Sequence, residues 1–160
     1  MSISAKLEEY LHSAGAPFEH HTHKTTYTAR ETAERMHIPS SEWAKCVVVK
    51  ADGRLVLAVV PSDRRVDVPH LQFVTRATNI GLATEAELLD AFPTCDLGAM
   101  PPFGNLFGVA TYCDTSLEDH EKIEFNAGSH EDSIRMAFGD FKRCGKPTMI
   151  DLVEHGKRKI

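Results

Sequence analysis

The feature that most restricts the fold is the pair of segments Lys45-Cys46-Val47-Val48-Val49-Lys50 and Leu55-Val56-Leu57-Ala58-Val59-Val60, separated by Ala51-Asp52-Gly53-Arg54. Runs this rich in β-branched residues favour extended backbone, and Asp-Gly supplies the tight turn of a hairpin. Both faces of each strand are apolar, so the pair belongs in the buried middle of a sheet rather than at a half-exposed edge. Lys45 shares its face with Val47 and Val49, which starts its side chain along an apolar wall.

Around this hairpin, Leu7, Tyr10, Leu11 and Ala14 recur at helical spacing, and Gly15 with Pro17 stops a helix expected over 4–14. Residues 17–28 read as extended. Two capping boxes, Thr28-Ala29-Arg30-Glu31 and Thr84-Glu85-Ala86-Glu87, announce helices ended by Pro39 and Pro93. A short helix fits within 66–75. Residues 95–102, 106–114, 122–127 and 133–138 read as extended, and a last helix is expected around 149–154. No internal repeat or low-complexity tract interrupts this order. The mixture predicts an α+β domain with a mixed, largely antiparallel sheet.

A chain of 160 residues suits one domain, 1–160, and 42% apolar with 26% charged residues is the balance of an ordinary globular protein. No apolar run reaches the length of a membrane span, and Met1-Ser2-Ile3-Ser4-Ala5-Lys6 lacks the layout of a signal peptide, so the expected location is the cytoplasm, with no membrane partner. Cys46, Cys95, Cys113 and Cys144 form no C-x-x-C pair, which predicts reduced thiols. The net charge of −5 gives no general attraction to nucleic acid and argues against DNA as a partner. Any RNA contact must be local, drawing on Lys24, Arg30, Arg35, Arg64, Arg65, Lys142, Arg143, Lys146 or the tail Lys157-Arg158-Lys159.

The chain has no G-x-S-x-G elbow, phosphate-binding P-loop or H-E-x-x-H pair. Three features remain. Lys45 must reach water or meet an anion, because an unpaired buried charge is costly. Gly98-Ala99-Met100-Pro101-Pro102-Phe103-Gly104 combines stiff prolines with permissive glycines, forming either a plain rigid connection or a loop whose free N–H groups face a ligand oxygen. Asn126-Ala127-Gly128-Ser129-His130 sets a hydroxyl and an imidazole after a strand, where His130 could position water or serve only the fold. In the run His20-His21-Thr22-His23, His21 and His23 would share one strand face and so invite a metal, but no third ligand is evident nearby, and an exposed polar strand is the plainer reading.

Taken together and in this order, these motifs, with Phe18-Glu19-His20, Tyr27-Thr28-Ala29-Arg30-Glu31-Thr32-Ala33 and Glu131-Asp132-Ser133-Ile134-Arg135-Met136, resemble the YbaK and prolyl-tRNA-synthetase-associated editing family over roughly residues 5–150. The resemblance implies a barrel-like mixed sheet flanked by helices and hydrolysis of aminoacyl esters on wrongly charged tRNA, without metal, cofactor or covalent nucleophile. It implies Lys45, Gly98 and His130 as catalytic residues. It implies Ala99, Met100, Pro101, Pro102, Phe103, Gly104, Gly128 and Ser129 as substrate-binding ones. Cys46 stands where relatives often have a small polar residue, so the pocket's specificity stays open. The implied partner is the acceptor end of mischarged tRNA, Ala-tRNA(Pro) first among small amino acids, with a synthetase or an elongation factor as open alternatives for delivery. The competing expectations are a noncatalytic tRNA- or synthetase-binding module and a metal hydrolase built on the histidine run.

Overall fold

The computed structural model describes residues 3–24 and 28–155. Tyr27, the basic tail Lys157-Arg158-Lys159 and the side chain of Arg30 lie outside the described residues.

Helix α1 (Ile3–Ser13) leads into β1 (Phe18–Thr22) and α2 (Ala29–Arg35), where Thr28 Oγ1 accepts the Glu31 N–H at 3.0 Å. The hairpin forms as β2 (Ala44–Ala51) and β3 (Arg54–Pro61), in register from Ala44 opposite Pro61 to Ala51 opposite Arg54. Asp52 and Gly53 both take positive φ, 49° and 83°, as a primed turn requires. Then follow α3 (Val68–Thr75), β4 (Ile80–Leu82), α4 (Glu85–Ala91), β5 (Ala110–Asp114), β6 (Lys122–Asn126), β7 (Asp132–Ala137), α5 (Phe138–Gly145) and β8 (Thr148–Ile150). The Thr84 capping box closes in both directions, and Lys50 Nζ reaches Glu87 at 2.8 Å. The Lys50 contact first, then the Thr84 N–H, holds the half-exposed Glu87 carboxyl at about 2.

The strands form a three-stranded sheet, β1-β7-β6, and a five-stranded sheet, β4-β2-β3-β5-β8. The hairpin is interior, as its two apolar faces demand. β3–β5 and β5–β8 are parallel and the remaining pairings antiparallel, so the sheet is mixed.

Alternation along the hairpin feeds two cores. One face sends Ala44, Val48, Leu57 and Val59 into a cluster with Leu7, Leu11, Phe92, Phe103, Phe125, Ile134 and Phe141. The other sends Val49, Val56, Ala58 and Val60 toward Leu71, Leu152 and Val153. Cys46 and Cys113 flank Val59 across three neighbouring strands. Two strand spacings separate their backbones by about 10 Å, too far for a disulfide.

Two expectations fail. Residues 95–102 are an irregular loop rather than a strand, because its backbone bonds go to turns and to Gly128 instead of a ladder. The last helix is α5, ahead of the segment expected to hold it, and 149–154 is the end of β8 plus an irregular tail. Phe138, Phe141 and Cys144 recur three apart and are buried, which outweighs the helix-weakening Gly139. Met149 pairs instead with Cys113, and Asp114 Oδ1 accepts the Leu152 N–H at 2.8 Å, tying the C-terminal segment to the sheet.

Candidate active site

The site starts from an interruption in sheet pairing. β4 pairs with β2 only from Val49 to Ala51. At the other end a single parallel bridge joins Trp43 to Glu124, just before β2 and within β6, and links the two sheets. Between these points, residues 44–47 have no ladder partner on that edge among the described residues. Two residues on from the bridge, the chains reach Lys45 and Asn126, which sets the end of β6 and the Ala127–His130 turn beside the open edge.

Lys45 is half-buried and makes no hydrogen bond or ion pair among the described residues. Burial, then the neighbouring Arg65 charge, holds its ammonium below the ordinary lysine range, and exposed Asp63 offsets this only in part. A cation in this state favours an incoming anion, because an anion relieves both penalties. Asn126 is also buried, 8% exposed, and its amide makes no hydrogen bond among the described residues.

Two glycine turns interlock beside this edge. Gly98 and Gly128 adopt φ of 83° and 99°, a region L side chains rarely enter. Asp96 N–H donates to the Gly128 carbonyl at 2.8 Å, and Gly128 N–H to the Ala99 carbonyl at 2.9 Å. His130 N–H meets Asp96 Oδ2 at 3.3 Å, and His130 Nε2 meets the Leu97 carbonyl at 2.7 Å. A carbonyl only accepts, so Nε2 carries a proton, and Nδ1 has no partner among the described residues and is an acceptor in the neutral ring.

The Ala99 N–H is bound to the Asp96 carbonyl, whereas those of Gly98 and Met100 make no hydrogen bond among the described residues. The side chains from Ala99 to Phe103 are buried, and Phe103 packs edge-on against Phe125 and Phe141. What the loop offers a ligand is therefore backbone. Gly104 answers to space: a Cβ there would stand 2.3 Å from Thr111 Oγ1 and 2.4 Å from the Val109 carbonyl oxygen. Ser129 Oγ is committed, donating to Asp132 Oδ2 at 2.6 Å and accepting the Glu131 N–H at 3.1 Å.

The histidine run has other work. His20 lies between Glu8 and Asp132, and His21 Nδ1 meets the fully buried Glu124 at 2.7 Å. Among the described residues no group of three metal-ligating side chains comes together. Several basic candidates are also engaged: Arg64 donates to the Glu154 carbonyl, Arg143 to the Ala14 carbonyl, and Lys142 meets Glu118. The Cys46 thiol is pushed up by burial, and Cys95 reaches about 12 for the same reason, so neither is a ready nucleophile.

Residues 23–144 match the model of the aminoacyl-tRNA editing domain. The chain belongs to that family. The editing domain is 28% identical over 131 residues to a proline–tRNA ligase of Staphylococcus saprophyticus, covering 72% of this chain and 22% of the ligase, so it spans about a fifth of that relative's length. It is similar to a solved hypothetical protein, with a TM-score of 0.84 and 20% identity over 93% of this chain and 99% of the other. It is likewise similar to a proposed trans-editing enzyme for prolyl tRNA synthetase, with a TM-score of 0.81 and 20% identity over 96% and 99%. Those two likenesses establish the shared fold. No described helix of the editing domain is long and apolar enough to cross a membrane.

Sequence reasoning passed over Asp96 and Leu97, and it named Arg65, Asn126 and Asp132 only within longer sets, without the contacts that the structure gives them. Each gains its place through a contact far along the chain, as with Asp96 and His130, 34 residues apart. The one local hint was the hydroxyl of Ser129 three residues before Asp132, a turn-forming spacing.

Proposed function

We propose that this editing domain is a deacylase that acts in trans, hydrolysing the ester of a small amino acid, alanine first, from mischarged tRNA such as Ala-tRNA(Pro). The observation that carries the reading is His130 held to the Leu97 carbonyl beside Gly98, with Nδ1 and the Gly98 and Met100 N–H groups left without partners among the described residues. A fixed acceptor next to fixed donors is what acyl transfer to water requires.

In this reading the 3′-terminal adenosine enters at the open edge of β2, and Lys45 meets its phosphate. The ester carbonyl oxygen turns toward the free N–H groups. A water attacks the carbonyl carbon and passes a proton to His130 Nδ1, directly or relayed through the neighbouring ribose hydroxyl. The tetrahedral intermediate then collapses, expelling the ribose oxygen, which recovers the proton and leaves free amino acid and intact tRNA. The short rigid loop excludes larger side chains by shape, the stronger device, since attraction yields only about 1–3 kcal/mol per methylene.

The test is release of label from alanyl-, cysteinyl-, seryl-, threonyl- and prolyl-tRNA, with Lys45→Ala alongside. Selective Lys45-dependent release of one small amino acid supports the reading. Tight tRNA binding with no release from any of them would instead make this a binding module.

A further inference from the structure

We propose that Asp132 is a positioning residue that sets His130 for the chemistry, through Ser129 on one side and His20 on the other. The proposal rests on the reading of His130 given above.

Asp132, the first residue of β7, joins the Ala127–His130 turn to β1 through its acceptors. Oδ2 takes the Ser129 hydroxyl at 2.6 Å, Oδ1 meets His20 Nε2 at 2.7 Å, and the main-chain carbonyl takes the Ala127 N–H at 2.9 Å. Ser129 Oγ in turn accepts the Glu131 N–H, so the turn carrying His130 is closed by one carboxylate. The opposite rim is bound by Asp96 and Leu97, which leaves the imidazole little freedom.

His20 extends this set to the N-terminal elements. Its Nδ1 meets Glu8 of α1 at 2.5 Å while Nε2 meets Asp132. With a carboxylate on each ring nitrogen, both nitrogens donate, and the ring is an imidazolium between two anions. His23 also bears on Asp132 through its charge. Ser129 and Asp132 therefore do not touch substrate in this scheme. They fix where His130 Nδ1 points.

The test compares Asp132→Asn, Ser129→Ala and Ser129→Thr with the parent on the aminoacyl-tRNA it hydrolyses, together with the nitrogen-15 spectrum of the His130 ring. Asn keeps the shape but presents only one acceptor oxygen. The expected result is a kcat lower by about 10- to 100-fold for Asp132→Asn and Ser129→Ala, the scale of a slightly misplaced group. KM should stay within about twofold, Ser129→Thr should restore most of the rate, and the His130 ring should change from one Nε2–H tautomer to a mixture. If Asp132→Asn fails to fold, Ser129→Ala carries the test. A purely structural role would lower Tm yet leave kcat and the ring spectrum as in the parent, and that result overturns the proposal. A parent inactive on every aminoacyl-tRNA would overturn the deacylase reading and with it the catalytic role given to Asp132.

Discussion

A Cβ placed on Gly98 would lie 3.6 Å from Cε1 of His130, so the two turns meet at ordinary van der Waals distance across this point. The space between them could hold a methyl group. The Gly98 backbone, at φ 83°, is what a side chain would disturb.

Gly98→Ala should therefore fold, at a cost of about 1–2 kcal/mol from the left-handed backbone, and lose deacylation more than stability as the strained turn shifts the free N–H groups. Gly104→Ala should behave differently, since its Cβ would overlap Thr111 Oγ1 and the Val109 carbonyl. The check is Tm and kcat/KM for both: the first variant soluble and more than about tenfold slower, the second poorly folded. Full activity in Gly98→Ala would remove that loop from the chemistry.

Lys45→Met should be at least as stable as the parent, because it deletes a half-buried charge lowered by burial and by Arg65 while keeping the stem's bulk. A Tm higher by about 2 °C together with lost deacylation is the signature of a residue kept for function. The slope of log affinity for tRNA against log salt should also fall by about 0.7, one single-strand phosphate contact. An unchanged slope would separate Lys45 from the phosphate.

Stability should fall on the alkaline side because of His20. Burial works to lower its pKa, but the Asp132 hydrogen bond and the Glu8 charge outweigh it, and the net shift is upward. A raised folded value gives stabilisation that is complete below the unfolded value of about 6.5 and lost as pH rises through the folded one. Asp132 is lowered, by Ser129 first and with His20 contributing, so its share is present above about 3.9 and lost on acidification. The pair is strongest between those limits. As both side chains are about a third exposed, the effect is under about 1 kcal/mol. Thermal unfolding from pH 5.5 to 8.5 should show the decline, and His20→Gln should flatten it.

Asp114 supports the C-terminal segment and should be far more sensitive. It is 1% exposed, its Oδ1 takes the Leu152 N–H, and its Oδ2 takes the Ser116 N–H at 3.1 Å along with the Ser116 hydroxyl. Asp114→Ala strands these donors and should cost about 3 kcal/mol, or about 10 °C in Tm. Loss of amide protection at Leu152 in hydrogen exchange should accompany it.

Much of the fold was legible in short stretches of sequence, because its causes are local. The β-branched runs and Asp52-Gly53 specify the hairpin, Thr84 and Glu87 cap their helix, and the two apolar faces of β2 and β3 require an interior position. Gly98 and Gly128 mark turns, and Lys45 stands out as a charge on an apolar wall. The tertiary structure alone decided what these residues meet. It left the first half of β2 paired with β3 alone and its other edge without a ladder partner among the described residues, turned Phe138, Phe141 and Cys144 into a buried helix face, and used the 95–102 loop as a partner for Gly128 rather than as a strand. It also committed His20 to Asp132 and His130 to Leu97. Such contacts join segments with no sequence relation, and their free energy comes from burial and hydrogen-bond completion in the assembled domain, so no local pattern announces them.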